Sequence, residues 1–296
     1  MSNLMQLKYR IKSIETTKKV THAMRLIAIS FYGQIQKRNA PLLEYQKSVL
    51  SLLQKLYQAN PSWQNPLFVV KDHLNSNPLI ILISTSKGLC GNFHENLITY
   101  FYKAHYSEEH QTVSFITIGS KAATFIKQQI DKENNGVLVE ELEELNLQNI
   151  HQITQRVFSL ISQNTQYSSV TVYSTSFISF FSQKPLQQIL LPLSSDKPHA
   201  TKQAEQKEEQ DQEPLTEYIW EQDKNDICNQ LAQTYLKSCI ETIMVQSLLS
   251  EQAARFLAME NATTAATKYI ASLTLQYNKT RQDLVTKEIT ELSAAM

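Results

Sequence analysis

Residues 215–296 run for 82 positions without a glycine or a proline, in a chain of 296 residues that has only five glycines. An ordinary globular helix has about three or four turns, so this stretch predicts one long helix, or two stacked end to end. Its apolar positions Leu231, Tyr235, Cys239, Ile243, Leu248, Ala253, Phe256, Met259, Ala262, Ala266, Tyr269, Leu273 and Tyr277 recur at helical spacing, and such a stripe needs a partner. The many alanines between Ala253 and Ala266 leave room for a second helix to come close.

The partner expected is the other end of the chain. Leu4, Leu7, Ile11, Ile14, Val20, Met24, Ile27, Phe31 and Ile35, then Leu42, Val49, Leu53 and Leu56, step by three and four, and the near-heptad pattern suggests a two-stranded seam. Pro41 predicts a kink or a break, because its ring clashes with the preceding turn, and Gly33 weakens the helix by roughly 0.5–1 kcal/mol relative to alanine. At ~1.5 Å per residue the C-terminal stretch reaches on the order of 120 Å and the N-terminal one about 85 Å, so the former is expected to project past the latter.

Between the two ends the pattern changes. Residues 60–78, with Pro61, Pro66 and Pro78, read as punctuation. Leu79 to Ile83 is a continuous apolar run, the pattern of a strand buried on both faces. Helical stretches at Phe93–His105, near 121–130 and near 148–163 alternate with strands at Val113–Ile118 and Val170–Tyr173. An edge strand, Gln187 to Leu193, lies between Pro185 and Pro192. This alternation predicts a small, mainly parallel, Rossmann-like α/β domain. The expected organisation is an N-terminal coiled-coil helix at 1–59, an α/β body at 78–193, a flexible acidic insertion at 194–214 and a C-terminal coiled-coil helix at 215–296. The insertion has two apolar residues, both alanine, too few to offset its ordering entropy.

Charge is unevenly spread although the formal net charge is zero. The first 38 residues carry eight Lys/Arg against Glu15 alone, which suits either an acidic partner or a solvated helix face. Residues 200–226 carry nine Asp/Glu against three lysines. Cys90, Cys228 and Cys239 are too few and too scattered for a disulfide scaffold or a zinc site, which points to a reducing compartment. The uncharged run 157–183 is too rich in Ser, Gln, Asn and Thr to span a membrane, and the basic opening keeps its helical pattern too far to be a cleaved leader.

Catalytic signatures are missing. The loop Ser84-Thr85-Ser86-Lys87-Gly88-Leu89-Cys90-Gly91 follows a buried strand as a phosphate cradle would. It lacks both the Gly-x-x-x-x-Gly-Lys-[Ser/Thr] and the Gly-x-Gly-x-x-Gly order, so a structural turn is expected. His94-Glu95 and Glu109-His110 lack the second histidine of a zinc-protease motif. Neither a cofactor nor a metal is expected, and the chain is expected not to be an enzyme.

Three stretches together resemble the gamma subunit family of the F-type ATP synthase. Leu7 to Met24 is similar to the opening "I-x-S-I-x-x-T-x-K-I-T-x-A-M", and Ser84 to Asn92 is close to the turn "S-D-[KR]-G-L-C-G". The third runs from Ser250-Glu251-Gln252-Ala253-Ala254-Arg255 through Ala258-Met259 and Ala262-Thr263. It continues in Tyr277-Asn278-Lys279-Thr280-Arg281-Gln282 and Thr286-Lys287-Glu288-Ile289-Thr290-Glu291. The match spans nearly the whole chain. It implies a non-catalytic central rotor shaft, an antiparallel coiled coil inside a ring of alpha and beta subunits. The α/β domain would be the foot, on the membrane c-ring with the epsilon subunit, and proton flow would be coupled to ATP synthesis or hydrolysis. Neither nucleic acid nor direct membrane insertion is implied, and the location implied is the cytoplasmic side of a bacterial inner membrane.

By the same resemblance, Arg281 and Gln282 match contacts with beta-subunit catch loops, Thr286, Glu288 and Glu291 match polar positions of the terminal helix, and Met24 matches the methionine facing it. Lys87, Gly88, Leu89, Cys90 and Gly91 would shape the foot. The sequence departs from the family after Met24, where Phe31-Tyr32-Gly33-Gln34 replaces a basic run, and at Glu260-Asn261 within the third stretch. The insertion lacks the cysteine pair of the redox-regulated plant form. A second reading, a coiled-coil scaffold or adaptor with an embedded α/β domain, predicts self-association instead, and a third, a small nucleotide-using enzyme, predicts nucleotide binding by the isolated chain.

Overall fold

The computed structural model describes residues 2–60, 63, 77–105, 113–133, 136–163, 167–192 and 222–295. Expectations for the acidic segment 194–214 and for most of 60–78 fall outside these residues. In chain order the elements are α1 (Ser2–Ala59), β1 (Leu79–Ile83), α2 (Phe93–His105), β2 (Val113–Ile118), α3 (Ser120–Glu133), β3 (Gly136–Leu142), α4 (Ile150–Gln163), β4 (Val170–Ser179), β5 (Ser182–Leu191) and α5 (Lys224–Ala294). The chain divides into two compact units, one made of Met1–Tyr32, Leu89–Gly91 and Gln252–Met296, the other of Gly33–Gly88 and Asn92–Glu251. The first is called here the helix-pair unit and the second the sheet unit.

The sheet unit holds all five strands, in the order β3-β2-β1-β4-β5. The first four are parallel, with Leu79 opposite Ser114 on one side and Val170 on the other, and β5 closes one edge antiparallel to β4. Central β1 is buried at all five positions, as its unbroken apolar run requires when helices cover both faces. Ile80 and Leu82 join Phe115, Leu97, Phe101, Ala122, Ile126 and Tyr173 in one cluster beneath α2 and α3. Phe101 stands edge-on to both Tyr173 and Phe115, with ring centroids 5.0 and 6.2 Å away. Leu79, Ile81 and Ile83, which alternate with the cluster residues along β1, are buried as fully.

Within the same unit, residues 33–59 of α1 and 224–251 of α5 run antiparallel. Arg38 meets Glu241 at 2.9 Å, Gln46 donates to the Cys239 sulfur at 3.1 Å and Asn60 donates to Asn225 at 3.2 Å. Buried Val49, Leu53 and Leu56 supply the four–three step of the seam. The other flank of α5 meets α4, where Thr154 touches the Met244 sulfur at 3.7 Å and the Lys237 ammonium lies 4.3 Å from the Phe158 ring centre. Enclosed on both sides, α5 buries Tyr235, Leu236, Ser238, Cys239 and Ile240 in near succession rather than as a stripe.

Several boundaries differ from the sequence reading. The break that Pro41 could have made is absent: α1 continues through it as one helix. Pro41 is exposed, so water reaches the Lys37 carbonyl that loses its intrahelical donor, and a Cβ on Gly33 would meet nothing within 4 Å. The C-terminal helix starts at Lys224, where the Asp223 carboxylate accepts from the Asn225 amide at 2.8 Å and satisfies one orphan donor of the first turn. Strand β3 was not read at all. Its Glu140 and Glu141 mask the alternation, and both turn outward to ion pairs, with Arg156 at 2.8 Å and Lys127 at 2.6 Å. The expected strand at 170–173 extends to Ser179, and that at 187–193 is β5, which takes in Pro185 on the sheet's edge.

Candidate functional site

The helix-pair unit is built from α1 up to Tyr32 and α5 from Gln252. Thr263 donates to the Thr21 hydroxyl at 2.9 Å, and Arg25 pairs with Glu260, fixing an antiparallel register. His22 Nδ1 lies 3.1 Å from the same guanidinium. Ala28, Tyr32, Ala253, Met259 and Leu273 are the buried apolar residues of the seam, small at several points as close helix approach requires. Counting residue for residue from Thr21 opposite Thr263, α1 runs out opposite about residue 282 of α5, so the last turns of α5 have no α1 beside them. Past Leu273 most apolar side chains lie open, with Tyr277 and Leu284 half-buried: Leu275 is 72% and Leu292 70% exposed, with Val285 and Ile289 between them.

The residues singled out from the sequence fall into three places. Met24 is half-buried in the seam beside the Arg25–Glu260 pair. Arg281, Gln282, Thr286, Glu288 and Glu291 are all exposed on the distal α5, roughly 30 to 45 Å along the helix pair from Met24 at ~1.5 Å per residue. Glu291 lies 3.7 Å from Lys287, and the Thr286 carbonyl accepts from the Thr290 hydroxyl. An ion pair so exposed adds little stability, at most about 0.5 kcal/mol. These side chains are not needed to hold the helix together.

Among the turn residues, Lys87 reaches Glu144 at 3.5 Å and Gly88 is exposed with open space around it, both in the sheet unit. Leu89, Cys90 and Gly91 belong to the helix-pair unit. Gly91 adopts φ +60°, and a Cβ there would meet the Ala258 Cβ at 3.7 Å, so the turn lies against α5. Cys90 is buried, while Leu89 is exposed and also left-handed, with φ 65°.

The sequence reading missed the residue that holds the strand end, His94. Its Nδ1 is 3.0 Å from the Ser84 hydroxyl and its Nε2 3.1 Å from the Thr85 hydroxyl and 3.3 Å from the Lys87 carbonyl. With Ser84 and Thr85 buried, this pins the exit of β1 to the first turn of α2. No short motif announces it, because the contact depends on the strand–turn–helix geometry. Burial likewise pushes the Cys239 thiol up, with hydrogen bonds from Tyr235 and Gln46 opposing, and it pushes the Tyr235 phenol up too. Both side chains stay protonated and serve as packing. All three cysteines are buried. Among the described residues no cluster of three His, Cys, Asp or Glu is placed to hold a metal, and no helix is long and apolar enough to cross a membrane.

Two long helices from opposite ends of a chain, paired antiparallel, with a mainly parallel α/β body inserted between them in sequence, define a coiled-coil protein with an embedded α/β body. The ATP synthase family model matches residues 3–296. The ATP synthase gamma chains of Janthinobacterium sp. (strain Marseille) and Paraburkholderia xenovorans (strain LB400) are each 30% identical to this chain, covering 99% of it and 98% of their own length. The fold is shared with a chain of the Euglena gracilis mitochondrial ATP synthase structure of OSCP/F1/c-ring in rotational state 3, at a TM-score of 0.67, 15% identity and coverage of 100% and 94%. It is shared also with a chain of that enzyme's rotor in rotational state 1, at a TM-score of 0.65, 15% identity and coverage of 96% and 99%. The chain belongs to the ATP synthase gamma-chain family.

Proposed function

We propose that this chain is the central rotor shaft of an F-type ATP synthase, without a catalytic site of its own. The observation that carries the reading is the distal α5. A helix that leaves Val285, Ile289 and Leu292 in water beyond the reach of α1, and Leu275 open just before α1 ends, is made to be enclosed by other subunits. A ring of alpha and beta subunits is the enclosure implied by the gamma chains that match the chain end to end. The sheet unit then serves as the foot, on the c-ring and an epsilon subunit, and the assembly holds the chain at the membrane without insertion, on the cytoplasmic side of a bacterial inner membrane.

The mechanism follows from stiffness and asymmetry. The helix pair has no glycine on α5 and interlocks through Thr21–Thr263 and Arg25–Glu260, so it transmits torque rather than winding up. Its surface differs around its circumference, so each catalytic subunit meets a different face as it turns. Differential contact shifts each subunit among its conformations. Moving such an equilibrium from 1:99 to 99:1 takes about 5.5 kcal/mol of differential contact, which a few buried apolar side chains supply. In this scheme Met24, Arg281, Gln282, Thr286, Glu288 and Glu291 are contacts with the ring, and Lys87 to Gly91 form a structural turn rather than a phosphate site.

The test is reconstitution of the alpha and beta subunits with this chain, whole or lacking residues 217–296. ATP hydrolysis by the assembly should depend on the whole chain. Hydrolysis indifferent to its presence, together with self-association of the isolated chain, would favour the scaffold reading.

A further inference from the structure

Within the helix-pair unit, the stretch from Val20 to Tyr32 of α1 and from Gln252 to Thr267 of α5 is short of charge. Its acidic and basic side chains are His22, Arg25, Arg255 and Glu260. Arg25 is paired with Glu260, His22 lies on the same guanidinium, and Arg255 is buried. The surface left over is apolar. Val20 is 55% and Phe31 47% exposed, and Leu26, Ile27 and Ile29 are exposed between them, at angles that spread round the helix rather than line the seam. Lys19 and Lys268 mark where charge resumes.

Leu89 adds a second, independent observation. It is 56% exposed, yet among the described residues it is the non-glycine residue with a left-handed backbone, a conformation glycine takes far more easily. Its turn lies against Ala258, within the same stretch of α5. At this exposure the side chain gives its own unit little to offset the left-handed backbone; strain of this kind persists where the side chain is used.

We infer that Val20, Leu26, Ile27, Ile29, Phe31 and Leu89 form an apolar, uncharged collar, and that the surface of the catalytic ring facing it is itself apolar and uncharged rather than acidic. The inference rests on the rotor reading and specifies the chemistry of one level of that interface. A neutral collar set between charged segments favours a neutral partner, since an acidic loop would be desolvated there without a cation to meet it. Contact of this kind depends on shape and burial and is indifferent to salt.

The experiment uses the full chain assembled with its own alpha and beta subunits, and reads the dissociation rate of the chain from the ring, with the melting temperature of each full-length variant. Leu89→Gly should leave the melting temperature unchanged or higher while speeding dissociation roughly tenfold, as loss of an interface anchor does. That ratio should be the same at about 0.05 M and about 0.5 M salt. Phe31→Lys should also speed dissociation. If Phe31→Lys slowed dissociation, with the gain lost at high salt, the facing surface would be acidic and the inference overturned. Wild-type dissociation for both variants would overturn it too, with the rotor reading intact. If the wild-type chain never joined the ring, or the collar joined two copies of it so that Leu89→Gly dissolved a dimer, the rotor reading would fall as well.

Discussion

From Tyr235 to Leu249, α5 keeps nearly every side chain from water, whereas past Asn261 Leu273 is its one buried residue among those described. Both stretches belong to one helix and both carry apolar residues at helical spacing. The first is covered by its own chain, since α1 lies along one flank and α4 along the other, at Gln46–Cys239 and Thr154–Met244. The second has α1 alone, and from about residue 283 not even that. Stability and function are therefore separated along one element. Changes in the enclosed stretch should act on folding, and changes in the open stretch should act on whatever encloses it in the assembly.

The largest effect is expected at Leu236, fully buried in the enclosed stretch. Leu236→Ala should destabilise the chain by about 2–5 kcal/mol, from lost transfer energy and a residual cavity, read as a shift in the denaturant midpoint. A shift near zero would mean that the enclosure of α5 is looser than the burial implies. The smallest effect on folding is expected at Leu292. Leu292→Ser should move stability by no more than about 0.5 kcal/mol, because the side chain already lies in water. It should nevertheless weaken retention of the chain in the alpha–beta ring. If Leu292→Ser unfolded the chain as Leu236→Ala does, the contrast between the two stretches would be lost.

The same contrast explains what the sequence made legible. Both long helices could be read because their apolar positions recur at three and four over many turns, and β1 could be read because five apolar residues in a row have no other reading at that length. Strand β3 was hidden because its glutamates pair outward with Arg156 and Lys127, so the alternation that marks a half-buried strand is broken. Pro41 misled because its effect depends on exposure, which periodicity does not report. His94 was dismissed for lacking a metal-binding partner, whereas its role is to tie Ser84 and Thr85 across a turn that sequence spacing does not close. Of the positions carried by family motifs, Arg281, Gln282, Thr286, Glu288 and Glu291 are exposed on distal α5, Met24 is half-buried in the seam, and Lys87 to Gly91 form the turn after β1. Leu89 is legible as part of the motif turn, but its left-handed backbone is not, since nothing in its sequence context announces it.

The central claim, that this chain turns within a ring, is tested most directly by watching it turn. Because all three native cysteines are buried, a cysteine placed at exposed Gln128 on α3 would take a probe selectively while the ring is fixed to a surface. The account predicts that the probe rotates in one direction, in discrete steps, when ATP is supplied, and stops when ATP is removed. A probe that stays still while the assembled ring hydrolyses ATP would contradict it.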